Sequence, residues 1–194
     1  DTSMQHLSSC PDTEVTDVRL SSAVGVFLQK RAGTNVILAI KRMQNKRWYN
    51  GWKSHLTLQE TNKELDGGEE VRVCGGWHGT GRNLDMDVIT RDANGLDPRV
   101  GQATGFLGAG VYIASEASYS LTKNFRGEAG TVLRQGDSNL IGKDALFFVA
   151  AIPGVIKDFG THSAPGIGRR PLSGTSSSTM FTHGSQILCM YETK

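Results

Sequence analysis

The sequence predicts an α+β domain, mostly antiparallel strands with helices packed on them. Three observations point there. Strand-like runs follow one another through loops, and the clearest helical periodicity lies early in the chain. Twenty-four glycines among 194 residues call for many tight turns rather than a helical bundle. No Gly-x-Gly-x-x-Gly opens a helix after a strand, which removes support for a doubly wound nucleotide fold.

The chain is long enough for one well-buried core. A hydrophobic content of 38% and a charged content of 21% describe a soluble globular domain. Lys+Arg 21 against Asp+Glu 19 leaves a net charge of +2, too little to drive binding to nucleic acid or to a membrane. Cys10, Cys74 and Cys189 are odd in number and widely spaced, without a CxxC pair or a Cys/His cluster. They read as free thiols in a reducing compartment, and no metal is expected. There is no signal peptide, no long apolar run and no initiating Met. These features together give the expectation of an excised, monomeric domain from a cytoplasmic or nuclear protein.

Residues 1–34 are expected to be a lead-in, and residues 35–194 the main domain. The lead-in is polar over residues 1–23 and flexible, and can later join a sheet edge; residues 24–28 are a possible first strand. Residues 35–40, Asn-Val-Ile-Leu-Ala-Ile, are a better one, apolar and preceded by Gly33. The period then changes. Trp48, Trp52, His55, Leu56 and Gln59 recur three or four apart, so an amphipathic helix follows, with Asn45 as its N-cap and His55 as a packed histidine. Residues 71–74 form a strand that runs into Gly75-Gly76-Trp77-His78-Gly79. A histidine at a strand end among glycines sits where backbone amides can meet a ligand.

A short helix is expected over residues 84–90, closed by Asn94-Gly95. Residues 126–143 read as loop. Residues 145–152 are continuously apolar and predict a central strand buried on both faces. Residues 157–180 are a long Gly/Ser/Pro-rich excursion, and residues 186–191 are the last strand.

The chain is organised around residues 105–125. Three glycines in its first six positions let the backbone pass close to a neighbour, Val111 to Ala114 read as a short strand, and a helix starts near Ser115. Tyr112 on that strand, with Tyr119, Ser120 and Phe125 on the helix, can form a slot in which aromatic faces stack a flat ring and a hydroxyl orients it.

Three separated motifs, in order, resemble the catalytic domain of poly(ADP-ribose) polymerase-like (diphtheria-toxin-type) ADP-ribosyltransferases. They are Trp77-His78-Gly79-Thr80; Gly108-Ala109-Gly110-Val111-Tyr112-Ile113-Ala114 followed by Ala117-Ser118-Tyr119-Ser120; and Gln186-Ile187-Leu188-Cys189-Met190-Tyr191. Arg42-Met43-Gln44-Asn45-Lys46-Arg47-Trp48, Leu96-Asp97-Pro98-Arg99 and Gly168-Arg169-Arg170-Pro171 also have counterparts.

The resemblance implies a split antiparallel β core around an NAD⁺ cleft. His78 would bind a ribose hydroxyl, and Gly79 would meet the nicotinamide carboxamide through its backbone, where a side chain would obstruct the approach. Thr80 would contact the adenosine half. Tyr112 would stack on the nicotinamide, and Ser120 would bind its carboxamide. Phe125, or less readily Tyr119, would supply the second ring. The four groups at positions 79, 112, 120 and 125 are expected to converge on one cleft.

The family's polymer-forming members carry a glutamate at the start of the last strand. Here that position is Ile187, or Gln186 if the alignment slips by one. Neither is an acid, and isoleucine has no acceptor for a ribose hydroxyl proton. The resemblance therefore implies a mono-ADP-ribosyltransferase with the triad His78, Tyr112 and Ile187. NAD⁺ would be its co-substrate and a protein its acceptor, with a nucleic-acid acceptor unsupported by charge. Two other readings stand beside it: an inactive binding or scaffold module of the same fold, and an RNA 2′-phosphotransferase using Arg169 and Arg170.

Overall fold

The computed structural model describes residues 13–66, 73–80, 89, 95–97, 107, 110–122, 131–132, 139–154, 156–158, 160, 178–182 and 186–190. In chain order the elements are β1 (Thr13–Asp17), α1 (Ala23–Arg31), β2 (Lys41–Asn45), α2 (Lys46–Asp66), β3 (Cys74–His78), β4 (Val111–Ala114) and α3 (Ala117–Thr122). They continue with β5 (Thr131–Val132), β6 (Asp144–Ala145), β7 (Phe147–Ala151), β8 (Ile156–Asp158), β9 (Ser178–Thr182) and β10 (Gln186–Met190). The chain divides into two compact units of interleaved segments. One comprises Asp1–Tyr49, Gly79–Gly95 and Glu116–Phe147; the other comprises Asn50–His78, Leu96–Ser115 and Phe148–Lys194.

The second unit is built on a six-stranded sheet in the order β7-β3-β4-β10-β9-β8. Strands β3, β4, β10 and β9 pair antiparallel in turn. This body of the sheet matches the mixed, largely antiparallel class read from the sequence, while β8 departs from it by pairing parallel to β9. β10 lies between β4 and β9, with Ile187, Leu188 and Cys189 all buried. Because successive side chains alternate across a strand, Val111, Ile113 and Leu188 meet Ala151 in a core on one face. Tyr112, Ala114, Ile187 and Cys189 take the other face.

The apolar run at residues 145–152 does not form a central strand. Ala145 ends β6, and β7 is the outer strand of the sheet among the described residues. Aromatic contact explains the apolar side chains better than two covered faces do. Phe148 meets Trp77 edge-to-face, with ring centroids 4.9 Å apart and planes at 71°, a favoured arrangement for two quadrupoles. Its ring fills the space over Gly75, where a Cβ would come within 2.7 Å of it. The strand expected at residues 71–74 begins at Cys74 and continues through both glycines to His78.

In the first unit β1 pairs antiparallel with β2, from Thr13↔Asn45 to Asp17↔Lys41, and the Lys41 ammonium lies 3.0 Å from the Asp17 carboxylate. Part of the lead-in thus joins a strand. Two expected strands are corrected. Residues 24–28 belong to helix α1: the Ser22 hydroxyl caps it by accepting from the Gly25 N–H at 3.0 Å, and Gly25, Leu28 and Ala32 are buried at helical spacing. Residues 35–40 precede β2 outside any strand, because the Gln29 side chain, rather than a neighbouring strand, takes the Asn35 carbonyl and the Ile37 N–H. The loop expected at residues 126–143 contains β5, which pairs with β6.

The α2 helix begins as its sequence predicts. The Trp48 N–H donates to the Asn45 side-chain oxygen at 3.0 Å, which satisfies one of the orphan donors at a helix N-terminus. Trp48, Trp52, His55, Leu56 and Gln59 are all half-buried, so the helix turns the expected face inward. Gly95 sits at φ 63° with the Trp48 ring 3.1 Å from where a Cβ would stand, while Asn94 lies outside the described residues. Asn45→Ala is expected to lower the unfolding free energy by roughly 1 kcal/mol, with Asn45→Asp retaining most of it, as read from urea denaturation. The helix expected at residues 84–90 lies outside the described residues apart from Ile89, which is helical and buried.

Candidate functional site

His78 ends β3. Its Nδ1 lies 2.8 Å from the carbonyl oxygen of Tyr112 on β4. A carbonyl can only accept, so Nδ1 carries the proton and Nε2 is left with a bare lone pair whenever the ring is neutral. Burial lowers the imidazole's pKa from its ordinary value, and the bond to the Tyr112 carbonyl opposes part of that shift. The ring is therefore neutral near pH 7, with Nε2 an acceptor.

The Tyr112 ring is held at its far end. Its hydroxyl accepts from the Leu107 N–H at 2.9 Å, which fixes the ring while leaving it partly exposed. Tyr112→Phe keeps the ring and loses this anchor. The expected cost is roughly 1 kcal/mol of stability, seen as a lower Tm in the absence of any ligand.

The register of β4 with β10 separates the two candidates for the third position. Ile187 stands opposite Ala114 and Cys189 opposite Tyr112, so Ile187 and Tyr112 share a sheet face, whereas Gln186 alternates to the other side and is exposed. Ile187 is only 3% exposed, and its sec-butyl side chain offers no acceptor to a hydroxyl proton. His78, Tyr112 and Ile187 thus lie on three neighbouring strands of one unit, with Tyr112 and Ile187 on one sheet face.

Gly79, Thr80, Tyr119 and Ser120 lie in the other unit. Gly79 runs against the backbone of α3: a Cβ there would stand 2.7 Å from the Ser120 carbonyl oxygen and 3.3 Å from Leu146. The structure thus supplies a reason for this glycine that lies in the protein itself, apart from any ligand. Ser120 and Thr80 are buried. Tyr119, on the same helix, is half-buried, and its hydroxyl pKa is raised by that burial. Phe125, Arg169 and Arg170 lie outside the described residues.

Two contributors were not legible as such. Ser115 ties β4 to β10, its N–H donating to the Gln186 carbonyl at 2.9 Å and its hydroxyl accepting from the Gln186 N–H at 3.1 Å. A serine just past a strand is the available signal, and by itself it reads equally as the start of the helix that follows. The Leu107 backbone, which holds Tyr112, has no side-chain signature at all.

Among the described residues no group of three or more His, Cys, Asp or Glu is placed to hold a metal ion, and no helix is long and apolar enough to cross a membrane. Cys74 and Cys189 are free thiols, the latter buried. No protein-family model matches the chain, and no curated protein matches it. The likeness to ADP-ribosyltransferases rests on the motif residues themselves.

Proposed function

We propose that the protein is a mono-ADP-ribosyltransferase. The observation that carries this reading is the disposition of His78, Tyr112 and Ile187. A neutral imidazole, its Nδ1–H bonded to the Tyr112 backbone carbonyl, offers Nε2 as an acceptor; the Tyr112 ring is anchored through its hydroxyl to the Leu107 N–H, and the third position is filled by a buried aliphatic. In the proposed roles Nε2 of His78 accepts from a ribose hydroxyl of NAD⁺, the Tyr112 face stacks on the nicotinamide, the Gly79 backbone and Ser120 bind its carboxamide, and Thr80 contacts the adenosine half. Phe125 or Tyr119 provides the second ring.

The reaction breaks the C1′–N bond between ribose and nicotinamide and forms a bond from C1′ to the acceptor's nucleophilic atom. Nicotinamide leaves as a neutral molecule that takes the bonding electron pair, and the acceptor gives up any proton it carries to solvent. The transition state is oxocarbenium-like, so the protein's contribution is alignment and electrostatic support. Without a carboxylate at Ile187, a second ADP-ribose has no base to activate its attachment point, so transfer stops at one unit.

The test is incubation with labelled NAD⁺ and a protein acceptor mixture, with the products resolved by size. A single added unit per site supports the reading; a ladder contradicts the role given to Ile187. Binding of NAD⁺ without release of nicotinamide would favour an inactive binding module instead.

A further inference from the structure

We propose that residues 36–39 form a docking edge for an extended, acidic segment of a partner protein. The run Val36-Ile37-Leu38-Ala39 is neither helix, turn nor bend. One edge of it is already closed. The Gln29 side-chain amide donates to the Asn35 carbonyl at 2.7 Å and accepts from the Ile37 N–H at 2.9 Å. This pair of bonds to residues two apart imitates a neighbouring strand's peptide group.

In a straight run successive backbone groups point to opposite sides, so Val36 and Leu38 turn their N–H and C=O groups away from Gln29. Among the described residues those groups have no partner. The ladder with β1 goes no further than the Val18 N–H bonded to the Ile40 carbonyl at 3.0 Å. The side chains match this openness. Val36 is 78% exposed and Leu38 54%, in a segment whose composition is that of a strand. An apolar run with a free backbone edge is the feature that β-augmentation uses.

Charge selects the occupant. Residues 18–49, all in the same unit, contain Arg19, Lys30, Arg31, Lys41, Arg42, Lys46 and Arg47 and not one Asp or Glu. All seven basic side chains are exposed. The run at 36–39 has Lys30 and Arg31 before it in sequence and Arg42 after it, while Lys41 is already paired with Asp17. A second copy of this chain would set these cations against their own kind. A lipid surface would leave the backbone edge unsatisfied. Nucleic acid would meet exposed aliphatics where it needs stacking rings. A strand alternating apolar and acidic residues satisfies the hydrogen bonds, the side chains and the charge together.

The probe is a fluorescein-labelled peptide alternating valine with glutamate, titrated with the purified chain and followed by anisotropy. The same peptide carrying lysine for glutamate serves as the control. The glutamate peptide is expected to bind and the lysine peptide not to. Leu38→Pro removes an N–H that the fold does not use and should weaken binding roughly tenfold with Tm unchanged. Lys30→Glu should weaken it as well. If Leu38→Pro lowers Tm, the double change Val36→Ser with Leu38→Ser replaces it. Equal binding of both peptides overturns the proposal, as does undiminished binding by the edge variants. So does a concentration-dependent dimer that Leu38→Pro disperses, or binding to phosphatidylserine vesicles that displaces the peptide.

Discussion

On the proposed function, His78→Ala is expected to reduce ADP-ribosyl transfer by roughly 10²–10³-fold, the usual consequence of deleting one oriented polar group from a transition-state site. The effect should fall on turnover of NAD⁺ and be measured as nicotinamide released. The reason is the fixed tautomer: with Nδ1–H committed to the Tyr112 carbonyl, the only free function of the ring is to accept at Nε2. A pH profile follows. Burial lowers the pKa of His78 from its ordinary value, so transfer should be level around neutrality and fall only on acidification below the usual imidazole range, when Nε2 becomes a donor.

Stability has the same sign. The unfolded histidine takes up a proton near pH ~6.5 and the folded one only at lower pH. Below that value the unfolded state binds more protons, and stability declines until the folded pKa is passed. In His78→Ala this part of the acid sensitivity should disappear. Wild-type nicotinamide release by His78→Ala would remove His78 from the site.

Gly79→Ala is expected to destabilise the protein by roughly 1–3 kcal/mol, the cost of forcing a methyl group into occupied space. The added carbon would sit 2.7 Å from the Ser120 carbonyl, a backbone atom of a helix that cannot rotate aside as a side chain would. Thermal unfolding without NAD⁺ is the discriminating measurement. A lowered Tm there assigns the glycine to its own packing against α3. An unchanged Tm with weakened NAD⁺ binding would assign it instead to the ligand, as the family resemblance implies.

Much of the sheet was legible in the sequence because its signals are local. Val111 to Ala114 and the run at residues 186–191 are short, apolar and bounded by turn residues, and they became β4 and the buried strand β10. The α2 face was equally clear, since a period of three to four set by two tryptophans has no other reading, and Asn45 marked its start. The misreadings share a cause. Val24, Val26 and Phe27 have strand propensity, yet a serine cap and the burial of Gly25 and Leu28 put them in a helix. Residues 145–152 looked central because continuous apolarity does not say whether a strand is covered by sheets or by one aromatic partner.

Of the candidate site, residue identity was legible and disposition was not. Nothing in the letters says that the imidazole of His78 meets a main-chain carbonyl 34 residues away in sequence. Nor do they say which of Gln186 and Ile187 shares a face with Tyr112; only the pairing of β10 with β4 decides that.

The double tie between Ser115 and Gln186 bears on how this chemistry can change over time. A slide of β10 by a single residue would swap every side chain between the two faces and bring Gln186 or Leu188 to where Ile187 now stands. Two hydrogen bonds at the mouth of the strand pair oppose that slide. With the threading locked in this way, whatever amino acid mutation writes at position 187 is delivered to the sheet face that carries Tyr112, and a descendant could acquire or discard an acid there without rebuilding the sheet.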